Sequence, residues 1–242
     1  MSYLTYAEIL KKVQEPLDLE DEVFIGSQEM IGYCNDAIKR CESKIHTIYE
    51  DYFLTDAYLT FTQGDQQVDL PADLYANKIR TIVWTQGPGS REIYEILRIK
   101  DIHKFLRIES DNANNQNADY RYWIKNASPS LTGRKIMLVP AARETTSTKA
   151  KIYYLRRANK VTQDTDYVDI PEFYSVIVAY MRYMAYRKEG HPNTEEAKAE
   201  LIDEEKNMVE TLTEMVPDGE NEIPMPADPY NGAIDPGMGY IE

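Results

Sequence analysis

Apolar residues at Ile31, Cys34, Ile38, Cys41, Ile45 and Ile48 alternate spacings of three and four, which places them on one face of a helix expected to start at Asp21. Such a stripe requires another helix to cover it. Upstream, Thr5 and Glu8 have the spacing of a capping box and predict a short helix to Gln14, before Pro16 interrupts it. After Tyr49 the period shortens towards alternation, and β-favouring residues predict strands over 54–62, 79–85, 91–99, 120–125, 134–139 and 149–156. The Gln-Gly-Pro-Gly-Ser run at 86–90 predicts a hairpin turn, 101–109 a short helix, and the Asn- and Asp-rich 110–119 a loop. Helical period returns at Pro171, with Phe173, Val176, Ile177, Tyr180, Met181 and Met184 on one face until Gly190-His191-Pro192 ends it. Asn193, three residues before Glu196, is placed to cap a last helix whose Ala197, Leu201, Met208, Leu212 and Met215 share a face. The pair predicts an antiparallel helical hairpin. The expected fold is α+β: a helical bundle from 1–50 and 170–216, with a central antiparallel β-sheet insertion over 51–169.

From Pro217 the pattern stops. The last 26 residues hold five prolines, four glycines, six acids and no base, with isolated apolar residues at Ile223, Met225, Tyr230, Ile234, Met238 and Tyr240. Without periodicity such an arm cannot offset its own ordering entropy, so those side chains are expected to be anchors into a neighbouring chain.

Composition sharpens this outline. With 43% apolar positions in 242 residues the chain can bury a substantial core. No uncharged apolar run approaches the roughly 20 residues of a membrane span; the longest, 173–181, is bracketed by Glu172 and Arg182. A basic start and apolar centre of a secretion signal are missing from the first residues, and only two cysteines occur, so we expect a protein made in the cytoplasm without disulfides. Cys34 and Cys41 lie about 10.5 Å apart along a helix axis, too far to bridge, and are expected in the core.

The net charge of -14 argues against general affinity for nucleic acid. That sum conceals segregation, because 121–160 carries ten bases and one acid, whereas 195–214 carries eight acids and two lysines. Mutually docking copies have such opposed blocks. Within the basic block, Arg134, Lys135, Arg156, Arg157 and Lys160 are candidates for contact with acidic helices of an adjoining copy or with DNA, surface solvation being the plain alternative. Tyrosine, at 19 residues against five Phe and two Trp, suits half-wet interfaces and suits strands equally.

Chemistry is sparse. His46, His103 and His191 have no metal-binding spacing, and no G-x-S-x-G, phosphate-loop or dinucleotide fingerprint occurs. Residues 111–119 resemble a calcium loop in composition only. Asp164, Asp166 and Asp169 precede a helix start, where carboxylates are expected to face unpaired amides. The phrase V-D-(L/I)-P occurs at 68–71 and 168–171, each expected to hand a strand or loop over to a helix. No catalytic residue, metal or cofactor is expected, and an enzyme acting on nucleic acid or cell wall is the opposing class.

The order of parts carries a resemblance. Thr5-Tyr6-Ala7-Glu8-Ile9 opens the chain, and Met30-Ile31-Gly32-Tyr33-Cys34-Asn35-Asp36-Ala37-Ile38 lies on the long helix. Val68-Asp69-Leu70-Pro71-Ala72-Asp73-Leu74-Tyr75, Asp169-Ile170-Pro171-Glu172-Phe173-Tyr174 and Ala179-Tyr180-Met181-Arg182-Tyr183-Met184 follow. With these the chain resembles the head-to-tail adaptor, or connector, proteins of tailed bacteriophages, while its sheet exceeds that of the small helical members. The resemblance implies a virion structural protein of the neck, assembled in the host cytoplasm as a ring of about twelve copies under the portal. It further implies an arm reaching the portal, tail or nozzle proteins as partners below, and transient passage of double-stranded DNA through a central channel, with no membrane involved. Another neck or tail ring protein, a tail terminator or fibre-attachment ring, is the alternative.

Overall fold

A computed structural model describes residues 3–15, 25–85, 93–112, 120–125 and 133–216. The fold is α+β, with one core in the helical bundle, one between the sheets and a small third one around Ile99, Phe105 and Val139. Helix α1 (Tyr6–Gln14) is opened by the expected capping box: Glu8 N donates to Thr5 Oγ1 at 3.3 Å and Thr5 N to the Glu8 carboxylate at 2.7 Å. Helix α2 (Ser27–Ile48) starts later than its pattern suggests, with Gly26 as N-cap; Asp21 lies outside the described residues. Its stripe packs against α4 (Tyr174–Glu189) and α5 (Thr194–Met215), and α1 against α4. Ile9, Cys34, Cys41, Ile45, Ile177, Met181 and Leu212 are completely buried there. Both cysteines are free thiols, and burial pushes each up to about 12, far from the reactive thiolate.

Gly190 ends α4 at φ 68°, a left-handed position that an L side chain would strain, so the chain reverses at once into α5. Asn193 is the N-cap of α5, but its side chain makes no capping bond. The turn closes on His191 instead, whose carbonyl accepts from Thr194 N at 3.1 Å and Thr194 Oγ1 at 2.6 Å.

The insertion is two four-stranded sheets rather than one. The first runs β1 (Leu54–Phe61), β8 (Thr146–Arg156), β3 (Leu74–Thr85), β4 (Ile93–Glu95) in spatial order. In the second the order is β2 (Gln67–Asp69), β7 (Lys135–Val139), β6 (Arg121–Lys125), β5 (Leu97–Arg98). Leu59, Phe61, Ile82 and Ile152 of the first sheet share a core with Tyr122, Ile124, Ile136 and Leu138 of the second. The strand expected over 91–99 is divided because the chain changes sheets at buried Ile96, whose amide still bonds to Ile82 O at 2.8 Å while Leu97 pairs with Arg121. That second pairing is parallel, an exception in an otherwise antiparallel lobe.

The two V-D-(L/I)-P phrases diverge. Pro171 opens a 3-10 turn over Pro171–Phe173 that leads into α4, as expected. Pro71, by contrast, leads into a strand: Leu70 N bonds to Arg134 O, Leu74 N turns back onto Pro71 O, and Leu74 then pairs with Arg156. Cross-strand partners on both sides leave no room for a helix. The helix expected over 101–109 extends to Asn112 as α3 (Ile102–Asn112), so 110–112, expected in a loop, are helical; 113–119 and the 86–90 hairpin turn lie outside the described residues. No described helix is long and apolar enough to cross a membrane.

Candidate assembly site

The lobes meet around the 3-10 turn Glu50–Phe53, which links α2 to β1. Opposite it, β3 bulges between Leu74 and Ile79, where Ala76 and Asn77 adopt φ 44° and 60°. The bulge pushes Tyr75 onto His46 of α2, their rings stacked at 3.7 Å, and presents Lys78 Nζ to the Glu50 carboxylate at 2.7 Å. Arg80 Nε donates to Asp51 at 2.8 Å, extending the same contact. His46 is 3% exposed and has no hydrogen-bond partner for either ring nitrogen among the described residues. Burial, and then the nearby Lys78 ammonium, hold its imidazole down at about 4, against the opposing charge of Glu50.

Three of the five candidate bases are consumed in this architecture. Arg156, at the end of β8, pairs with the buried Asp169 carboxylate, donates to Arg157 O at 2.9 Å and lies 5.1 Å from the Phe53 ring centre. Arg134 bonds to Asn77 Oδ1 at 3.0 Å and to Leu74 O, and so braces the bulge; burial, then the charge of Arg157, lowers its pKa. Lys135 reaches Asp69 across the β2–β7 pair at 2.8 Å. Arg157 and Lys160 are exposed. The basic segment is therefore not one patch: Lys135 and Lys151 face acids on neighbouring strands, Lys151 with Asp56 at 3.0 Å, while Lys149 pairs at 2.7 Å with Glu144 in the turn that leads into its own strand.

The acids expected to cap a helix do other work. Asp166 accepts from Thr162 N, Thr162 Oγ1 and Gln163 N at 2.7, 2.8 and 3.1 Å, bonds that depress its pKa, with the Thr162 backbone amide contributing most. Asp169 holds Arg156 and receives Asn159 N at 3.2 Å. The main-chain carbonyl of Asp164 accepts from Ala7 N at 3.1 Å. Their loop leads from β8 back to the bundle, where turns and a charge pair, rather than a helix dipole, set the carboxylate positions. Asn35 clasps the same loop, donating to Val161 O at 2.8 Å and accepting Val161 N at 2.9 Å, a role that a lone Asn on a helical stripe does not announce.

Among the described residues no cluster of His, Cys, Asp and Glu could hold a metal ion. A shallow cleft of about 490 Å³ is lined by Asp36, Lys39, Arg40, Ser43, Lys44 and Tyr180. Glu205 of α5 engages both Arg40 and Lys44 at its wall.

Two candidate contact regions remain. The arm with Ile223, Met225, Tyr230, Ile234, Met238 and Tyr240 lies outside the described residues. The other surface escaped the sequence reading: Leu97 of β5 and Ile102 and Leu106 of α3 are 53%, 38% and 52% exposed, among the exposed bases Arg98, Lys100, Lys104 and Arg107. The available signal was four bases against one acid within 97–107. Helical periodicity hid it, because α3 carries apolar residues on both its buried and its exposed face.

An α+β body that joins a periodic helical bundle to a strand-paired insertion, with apolar side chains set among charges on its surface, defines a protein built for contact with other chains. The sequence matches the family model described as SU10 adaptor protein over residues 4–228, and the chain belongs to that family of phage head-to-tail adaptors. It is accordingly a structural component of the phage neck. No individually curated protein matches the sequence.

Proposed function

We propose that copies of this chain close into a ring that joins the portal to the tail and continues the DNA channel. The observation that carries this reading is the extent of the family match, 4–228, which takes in the bundle, the β lobe and the first part of the arm. Ring closure needs two different complementary surfaces on each copy, and the acidic α5 and exposed basic residues such as Arg157 and Lys160 belong to separate parts of the chain. In this reading the arm residues Ile223, Met225, Tyr230, Ile234, Met238 and Tyr240 anchor in an adjoining chain of the assembly. Arg134, Lys135 and Arg156 hold the protomer together, leaving Arg157 and Lys160 for an adjoining acidic copy.

Native mass spectrometry and negative-stain imaging, with and without purified portal, test the assembly. Rings are expected, alone or on the portal; a monomer that never joins portal rejects the reading. Deletion of 217–242 is expected to preserve the circular-dichroism spectrum and abolish attachment, and attachment that survives the deletion removes the arm from the mechanism.

A further inference from the structure

We propose that the face made by β5 and the first two turns of α3 receives the C-terminal arm, residues 217–242, of a second copy of this chain. This rests on the ring reading above and names the receiving surface.

The face is rigidly built. Ile99 and Phe105 are buried with Val139 of β7, and the Asp101 carboxylate accepts His103 N at 2.9 Å, fixing the turn from strand to helix. Above that anchor, Ile102 and Leu106 stand one turn apart on α3, with Leu97 on the strand before it, and all three are exposed. β5 is the outer strand of its sheet, bonded to β6 on one side. Arg98, Lys100, Lys104 and Arg107 surround the apolar residues, and Asp101 is the one acid within 97–107.

The occupant follows from complementarity. A partner must be acidic and must also bring apolar side chains, because a phosphate backbone gains nothing from three exposed aliphatic residues. The arm has six acids, no base, and Ile223, Met225 and Tyr230 punctuated by prolines at 224, 226 and 229. Proline favours extended backbone in the residue before it, and extended backbone sends 223 and 225 to the same side about 7 Å apart. That span is close to the roughly 5–6 Å between residues one helical turn apart, as Ile102 and Leu106 are. The receiving face and the arm lie in different parts of the chain, so joining them from copy to copy generates a head-to-tail contact of the kind that closes a ring.

Cysteine cross-linking of the full-length chain tests this directly, since Cys34 and Cys41 are both buried. A chain carrying Leu106→Cys is mixed with a differently tagged chain carrying Ile223→Cys, Met225→Cys or Tyr230→Cys and then oxidised. A disulfide between the two tags is expected for at least one arm position. It should be lost when Lys104→Glu and Arg107→Glu are added, and weakened as salt rises from about 0.1 M to 1 M, where screening shortens from about 10 to 3 Å. Every substituted residue on the face is exposed, and matching unfolding curves confirm that the variants fold. No cross-link at any position overturns the proposal, as does one indifferent to charge reversal. A bond that forms only when both cysteines share one chain, and persists on dilution, assigns the arm to its own body and overturns it too. Binding of a double-stranded DNA oligonucleotide to the unmodified chain, abolished by the same two reversals, would make the face a nucleic-acid site instead. Rings on the portal without a cross-link reject this docking alone; absence of rings and of portal attachment rejects the ring reading itself.

Discussion

The helical and β lobes handle charge in opposite ways. In the bundle, acids are spread along the outer surface of α5, where Lys198 and Lys206 pair loosely with Glu195 and Glu210 at 3.6 and 3.9 Å. In the β lobe, four of the ten bases in 121–160 pair with carboxylates, Lys135 and Lys151 across strands, Lys149 within its own turn and Arg156 at the junction. A charge block on a helix is thus a surface property, whereas one spread over strands is set by cross-strand neighbours distant in sequence. The bundle leaves most α5 acids exposed, with Glu205 held by Arg40 and Lys44 and Glu200 by Arg182, whereas the paired bases of the β lobe are fixed by strand and junction geometry. Its exception, around α3, is the face assigned above to the arm.

The comparison can be tested by removing what each lobe relies on. Ile177→Ala in the bundle and Ile152→Ala in the β lobe, both at 0% exposure, are each expected to cost about 3–4 kcal/mol in urea unfolding. Because Phe53, Arg156 and Asp169 tie the lobes, fluorescence and circular dichroism should report one shared transition for either variant. Separate transitions would break the picture of coupled lobes.

Asp169→Ala should cost about 3 kcal/mol, since it leaves the Arg156 charge and the Asn159 amide without their buried partner. A loss below about 1 kcal/mol would place that pair with ordinary surface bridges.

His46 supplies a pH signature. Its folded pKa of about 4 lies below the ordinary 6.5, so above pH 6.5 the two states bind protons alike. Between about 6.5 and 4 the unfolded chain takes up a proton that the native chain refuses, and stability falls with pH. The loss by pH 5 is about 2 kcal/mol, before carboxylates with lowered values, such as Glu205, begin to contribute. His46→Phe should flatten urea midpoints between pH 7 and 5, and an unchanged slope would show that the ring is not the titrating group.

The smallest effect is expected from Lys151→Met. Its bridge to Asp56 is open to solvent and its ammonium lies 5.9 and 4.9 Å from the Tyr58 and Tyr153 ring centres, so the change should leave the urea midpoint almost unmoved. A larger loss would mean that exposed cross-strand pairs carry weight comparable to the junction.

How much was legible varied with the range of the interaction. The capping box at Thr5 and Glu8, the α2 stripe and the end of α4 at Gly190 depend on residues within a few positions of one another, and all were readable. The two V-D-(L/I)-P phrases were not separable by inspection, since their outcome depends on Arg134 and Arg156, which approach Leu70 and Leu74 only in the folded lobe. Candidate bases suffered the same limit: nothing near Arg156 in sequence marks Asp169 as its partner rather than solvent or another chain.

By itself the sequence determined the α+β class, the helical periods, the main strands, the acidic terminal arm and the adaptor resemblance, because periodicity, capping and composition are local properties. Only the tertiary structure decided that the insertion forms two sheets, that Tyr75 stacks on His46, that three of the five candidate bases are internal braces, and that Leu97, Ile102 and Leu106 face outward among bases. Those outcomes depend on pairings between distant residues, and the free energy of burying or pairing a side chain is set by its neighbours in space.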